Sequence, residues 1–143
     1  MIKIEKFKTS DKEQFKIACS IRKKVFVVEQ KVEPELEFDE FEDVCLHYLF
    51  YVNKKPIATA RWRNIGDKIK LERFALLKEY RNSGYGSALL DEVLKDVKKE
   101  NKLIYLHAQL KAVPYYSRKG FIKKGEIFEE AGIQHYYMEI HSQ

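Results

Sequence analysis

Arg81-Asn82-Ser83-Gly84-Tyr85-Gly86 is the stretch on which the fold turns. Before it, Lys68–Leu76 reads as a strand. After it, Leu89/Leu90, Val93/Leu94 and Val97 recur on one face of a helix that starts near Ser83 and runs to about Asn101. A helix start presents unpaired N–H groups and the positive end of the macrodipole. Gly84 and Gly86 lack Cβ atoms and tolerate positive φ, so several amides can converge on one anion. Arg81 adds a charged donor fork. The stretch suits a pyrophosphate; its plain alternative is a turn with a helix cap. It is not a P-loop, because no Gly-Lys-Ser/Thr follows. It is not a dinucleotide fingerprint either, with two glycines and no preceding βαβ unit.

Working outward, Ile2–Phe7 alternates apolar and charged residues as a half-buried strand does. Ser10-Asp11-Lys12-Glu13 fits a capping box with Ser10 as N-cap. Phe15, Ala18/Cys19, Ile21/Arg22 and Val25/Phe26 then follow at helical spacing. An acidic strip with Pro34 reads as a loop or short helix. Leu46–Val52, Pro56–Arg63 and Lys68–Leu76 are strands, and the short turns between them force an antiparallel meander. Leu103–Gln109 is a strand. Pro114–Lys119 is a short helix, ended by Gly120 in a left-handed conformation. Phe121–Phe128 and Gln134–Ile140 are strands joined at Gly132. The order predicts one α+β domain over residues 1–143, with a mixed sheet and helices on both faces.

Composition agrees. The chain has 143 residues, 45% hydrophobic and 34% charged, enough for one core. No apolar run nears the ~18 residues of a membrane span, and the start of the chain has no signal-peptide stretch. Cys19 and Cys45 form neither a disulfide framework nor a zinc spacing, so a cytoplasmic protein without metal is expected. The net charge of +5 conceals a division: residues 33–43 carry seven acids and no base, while the rest sums to +12. A uniformly basic nucleic-acid binder is a poor description, since the basic residues form no stripe.

A strand, Arg-x-x-Gly-x-Gly and an amphipathic helix resemble the coenzyme A loop of the GNAT superfamily of N-acetyltransferases. Gln109-Leu110-Lys111-Ala112-Val113-Pro114-Tyr115-Tyr116-Ser117-Arg118-Lys119-Gly120-Phe121 is similar to that family's Asn-x-x-Ala-x-x-aromatic-Tyr-x-x-x-Gly-Phe segment, with Gln109 in place of the usual Asn. Ile21–Gln30, the acidic strip with His47, and Glu130-Ala131-Gly132-Ile133-Gln134-His135 resemble its ElaA-like branch.

The resemblance implies a mostly antiparallel sheet whose two parallel central strands, Lys68–Leu76 and Leu103–Gln109, splay apart around the pantetheine of acetyl-CoA, used as cosubstrate. Phe74, Ala75 and Leu76 should pair with it through their backbones, the Leu76 amide facing the thioester oxygen. Arg81, Asn82, Ser83, Gly84, Tyr85 and Gly86 should hold the pyrophosphate, with Gln109 beside them and Lys78, Arg118 and Lys119 as outer contacts. Tyr116 takes the general-acid position, with Tyr115 in the core. Glu72, expected on the face of Phe74 and Leu76, is either the base or an ion-pair partner of Arg61, Arg63 or Arg73; His107, His47, His135 and water are alternatives. The expected reaction acetylates a small primary amine, with no nucleic acid or membrane partner and a homodimer kept open.

The acidic strip either draws a cationic acceptor to the cleft or is a solvated loop. A metal site from Glu37, Asp39, Asp43 and His47 lacks ligand spacing. Two other functions stay open. One is an acyl-homoserine-lactone-synthase-like acyltransferase, suggested by Arg22-x-x-x-Phe26; the other is a coenzyme A-binding module without turnover.

Overall fold

The computed structural model describes residues 1–141. Its strands are β1 (Ile2–Phe7), β2 (Leu46–Val52), β3 (Lys55–Ile65), β4 (Lys68–Leu76), β5 (Leu103–Gln109), β6 (Ile122–Glu130) and β7 (Ile133–His141). They form one seven-stranded sheet in the order β1-β2-β3-β4-β5-β7-β6. Only β4 and β5 run parallel; every other neighbouring pair is antiparallel. The mixed α+β sheet expected from the sequence is therefore present. Asn53 and Lys54 turn β2 into β3 with φ of 50° and 69°, the left-handed pair a two-residue hairpin needs.

The helices are α1 (Lys12–Arg22), α2 (Pro34–Glu37), α3 (Tyr85–Val97) and α4 (Val113–Arg118). Asp11, not Ser10, caps α1: its carboxylate accepts from the Gln14 amide at 3.2 Å. Lys23–Glu29 continues α1 as a wide π-helical stretch, in which the Gln30 amide bonds the Val25 carbonyl at 3.0 Å. Val25, Val27 and Val28 crowd this turn with β-branched side chains.

Helices cover both faces. Leu89, Leu90, Val93, Leu94 and Val97 of α3 pack on Tyr48, Phe50, Ile69, Leu71, Ile104 and Leu106. On the other face Ala18, Ile21 and Val25 meet Phe7, Leu49, Ala75 and Leu77.

One irregularity sets the site. The β4–β5 pairing ends at Leu71↔Leu106. On the β3 side Glu72 still faces Arg61 and Ala75 faces Thr59, so Arg73 and Phe74 together oppose Ala60. This is a β-bulge, with Arg73 at φ 58°. Beyond it β4 bends away, while β5 stays paired to β7 as far as Gln109↔His135. The two parallel strands thus form a fork. The bulge also shifts the alternation of β4. Ile69 and Leu71 face α3, and after the bulge so do Phe74 and Leu76, while Ala75 and Leu77 face α1. Glu72 therefore does not share a face with Phe74 and Leu76, as unbroken alternation predicts; the extra residue reverses the parity.

Candidate active site

The fork offers backbone groups without partners. The Leu77 amide bonds the Ile57 carbonyl at 2.9 Å, so Leu77 points its backbone at β3. In an antiparallel ladder the next residue points the other way, which turns the Leu76 N–H and C=O into the gap. Arg81 already occupies that carbonyl, through Nε at 3.0 Å and Nη2 at 2.8 Å. The Leu76 amide is left as the donor facing the fork.

Past the tip of β4, Asn82 (φ 67°) and Gly84 (φ 84°) take left-handed conformations just before α3. The amides of Asn82, Ser83 and Gly84 bond to no described residue. They precede the first turn of α3, whose N–H groups also lack intrahelical partners. A Cβ at Gly84 would meet nothing within 4 Å, so the glycine serves the backbone angle rather than packing. A Cβ at Gly86 would lie 3.7 Å from Leu76 Cδ2 and 3.8 Å from the Tyr115 hydroxyl. Tyr115 packs half-buried against the core, as expected, with its hydroxyl close to Gly86. Lys119 reaches α3 at Asp91 Oδ1, 2.9 Å away.

A clasp crosses the fork. Arg81 makes a two-pronged ion pair with Glu29, Nη1–Oε2 at 2.6 Å and Nη2–Oε1 at 2.8 Å. The neighbouring Gln30 accepts from Gln109 Nε2 at 2.9 Å. The end of the π-helical stretch is therefore tied to both arms. Sequence reading singled out Arg81 and Gln109 but gave Glu29 and Gln30 no role. No local motif marks them, since their partners are 52 and 79 residues away.

Tyr116 is 9% exposed, with Tyr115 and Phe121 ring centroids at 5.1 and 5.9 Å. Burial raises its phenol above the ordinary range and keeps it protonated. Its hydroxyl bonds to no described residue. No sealed side-chain polar atom among the described residues lacks a partner, so this oxygen reaches the surface. A hydroxyl on a buried ring usually finds a protein partner; this one remains available to a ligand.

Glu72 lies in an ion-pair network. Its carboxylate receives Arg61 Nε at 3.1 Å and Arg63 Nε at 2.9 Å, with Lys70 Nζ at 3.2 Å. Burial would raise its pKa, but these cations outweigh that and hold it below the usual range. Of its two readings, this geometry favours the ion-pair one, with Arg61, Arg63 and Lys70 as partners.

The acidic strip turns inward. Arg22 is buried and bonds Glu37 at 2.7 Å and Glu42 at 2.9 and 2.8 Å. Arg61, fully buried, bonds Asp39 at 3.0 and 2.7 Å and Glu42 at 2.8 Å. Arg73 holds the Glu37 and Leu36 carbonyls at 3.1 and 3.2 Å and Asp39 at 3.2 Å. Glu37, Asp39 and Glu42 are thus neither a free negative mouth nor a solvated loop. Arg22, which suggested the lactone-synthase comparison, is spent on this network. So are Glu37 and Asp39 of the metal reading, and Asp43 accepts from Thr9.

The histidines differ in what they touch. His47 is buried on Phe7, its Nε2 3.0 Å from the Glu42 carbonyl. His135 Nδ1 lies 2.7 Å from the Ile133 carbonyl. His107 Nδ1 lies 3.3 Å from both carboxylate oxygens of Glu130.

Among the described residues no helix is long and apolar enough to cross a membrane. The profile of the acetyltransferase (GNAT) domain matches residues 8–142. The uncharacterized N-acetyltransferase YjcF of Bacillus subtilis is 36% identical over 130 residues, spanning 90% of this chain and 93% of that protein. Among solved structures, Escherichia coli ElaA superposes with a TM-score of 0.86 at 26% identity, over 96% of this chain and 98% of that one. A GNAT family acetyltransferase of Elizabethkingia anophelis with acetyl-CoA bound shares the fold, with a TM-score of 0.73 at 15% identity over 98% and 97% of the two chains. With a forked parallel pair, a glycine loop at a helix start and a family match across nearly its whole length, the chain belongs to the GNAT acetyltransferases and is an acyltransferase.

Proposed function

We propose that the protein transfers the acetyl group of acetyl-CoA to a primary amine. The observation that carries this reading is the fork: a stretch of β4 that pairs with β3 but no longer with β5 leads, through a turn at Lys78–Tyr80, into a loop of unpartnered amides. Acetyl-CoA supplies an activated thioester. In this reading Phe74, Ala75 and Leu76 receive the pantetheine as an added strand. The Leu76 amide donates to the thioester oxygen, a role for which a single donor is worth about 3 kcal/mol of barrier elsewhere. The amides from Asn82 to Gly86 and the Arg81 guanidinium hold the pyrophosphate, Arg81 exchanging Glu29 for phosphate. Gln109 borders the gap on the opposite arm.

Tyr116 donates a hydrogen bond to the departing thiolate. Its raised pKa suits it to hydrogen bonding at neutral pH. The inward-turned acids give no reason to favour a polycationic acceptor, so the amine is sought across classes.

Calorimetry with coenzyme A and thiol release from acetyl-CoA with polyamines, amino sugars and lysine peptides test the reading. Wild type should bind and turn over. Gly84→Glu places a carboxylate at a φ of 84° in the anion site and should abolish binding. Tyr116→Phe should bind normally and turn over slower by about 10²-fold. A wild type that binds no coenzyme A would refute the proposal.

A further inference from the structure

The reaction needs a proton acceptor, because an alkyl amine arrives as an ammonium ion without a lone pair. Glu72 is a poor choice, being held by three cations. His47 and His135 are each 7% exposed or less and tied to carbonyls. His141 pairs with Leu103, at the end of β5 remote from the fork.

His107 differs in position and in partner. It is the first β5 residue beyond the last pair with β4, so it stands where the fork opens. Lys70 pairs with Tyr105 across the parallel ladder, and Leu71 and Leu106 both face α3. Alternation then puts Tyr105 and His107 on the face of Lys70 and Glu72. Glu130, from the end of β6, binds His107 Nδ1, and Nε2 bonds to no described residue. A carboxylate on Nδ1 fixes the hydrogen there and leaves the lone pair of a neutral ring on Nε2. The ring is held by Phe128, with centroids 4.9 Å apart, and by Tyr105 at 5.9 Å and Tyr137 at 6.4 Å. Lys70 from β4 and His135 from β7 also act on Glu130.

We propose that His107 Nε2 takes the proton of the acceptor ammonium and that Glu130 is the positioning residue that orients it. The inference rests on the acetyl-transfer reading. The ammonium N–H bond breaks and its proton passes to Nε2, directly or through one water. The free amine forms the C–N bond to the thioester carbon. As the C–S bond breaks, the thiolate leaves with the electron pair and takes up one proton, while the new amide nitrogen loses its second. One amide, one thiol and one proton released to solvent result.

The test compares two nucleophile classes on acetyl-CoA. Alkyl amines are cationic at neutral pH; hydroxylamine and trifluoroethylamine are largely neutral there and need no base before attack. His107→Gln should lower kcat/KM by about 10²-fold for the alkyl amine that wild type turns over. It should change the rate with the neutral nucleophiles by less than about threefold and leave coenzyme A affinity unchanged. Glu130→Ala should show the same split to a smaller degree. Glu130→Gln, which keeps an acceptor for Nδ1–H, should recover part of the loss. Equal losses with both classes, or none with the alkyl amine, overturn the inference and leave acetyl transfer standing. Coenzyme A binding without wild-type turnover of any nucleophile overturns both.

Discussion

Asp39→Asn removes one charge from the network beneath the fork while keeping the side chain's size. The Asn oxygen can still accept from the Phe41 amide, which bonds Asp39 Oδ1 at 3.1 Å. What is lost is the charge facing Arg61 and Arg73, together with the Oδ2 acceptor that their Nη2 groups bond at 2.7 and 3.2 Å. Burial raises the Asp39 pKa, but the Arg61 bonds and charge outweigh it and bring the group from 3.8 down to about 2. A depressed carboxylate stabilises the fold above its unfolded pKa, and that stability is lost as pH falls through the folded one. The difference is worth about 2 kcal/mol at pH 7, about 1 at pH 3 and a few tenths at pH 2. With an urea slope of ~2 kcal/mol/M, the wild-type and variant midpoints should differ by about 1 M at pH 7. The gap should close as the pH approaches 2. Equilibrium urea unfolding of both proteins across this range reads it directly. A loss that is equal at pH 7 and pH 2 would mean that Asn disturbs packing. No loss at pH 7 would mean that the Asp39 ion pairs contribute nothing net.

Glu29→Gln frees Arg81 and removes a negative charge beside the expected pyrophosphate. Both partners are about one-third exposed, where such pairs are worth up to about 1 kcal/mol. Coenzyme A should bind two- to fivefold more tightly by calorimetry, at about that energy; weaker binding would show that Glu29 shapes the site. Cys45 is fully buried, and burial pushes its thiol up to about 11. Ellman's reagent at pH 8 should therefore label Cys45 only once urea unfolds the chain, while partly exposed Cys19 reacts slowly in the native protein. Rapid native labelling of Cys45 would contradict its burial.

Much of this architecture is written locally. β2 and β5 run over Leu46–Val52 and Leu103–Gln109 as their aromatic, β-branched and apolar residues predict, and Gly120 ends α4 at a φ of 100°. Family-like motifs also lead directly to the loop and to Tyr116. What escapes local reading depends on partners distant in sequence. The bulge at Arg73 follows no glycine. Its arginine is held by the Leu36 and Glu37 carbonyls, 37 and 36 residues earlier. The inward turn of the acids had a signal in hindsight: Arg22 sits at the helical spacing of Ala18, Ile21 and Val25, and Arg61 follows Ala58 and Ala60. A cation forced inside requires carboxylates, and residues 33–43 are the richest acidic stretch available. The His107–Glu130 pair is legible only after the register of β5, β7 and β6 is known.

The extra residue in β4 has a consequence for any attempt to idealise this protein. Deleting Arg73 or Phe74 would restore unbroken alternation and let the strands zip onward past Leu71 and Leu106. It would also remove a left-handed non-glycine residue that costs on the order of 1 kcal/mol. By the ordinary measures of sheet quality such a chain is the better one. It would also have healed the gap that the acetyl-transfer proposal assigns to the cosubstrate. Stability screening of β4 variants would therefore select against catalysis at this one position, and an engineer should hold the defect fixed while improving everything around it.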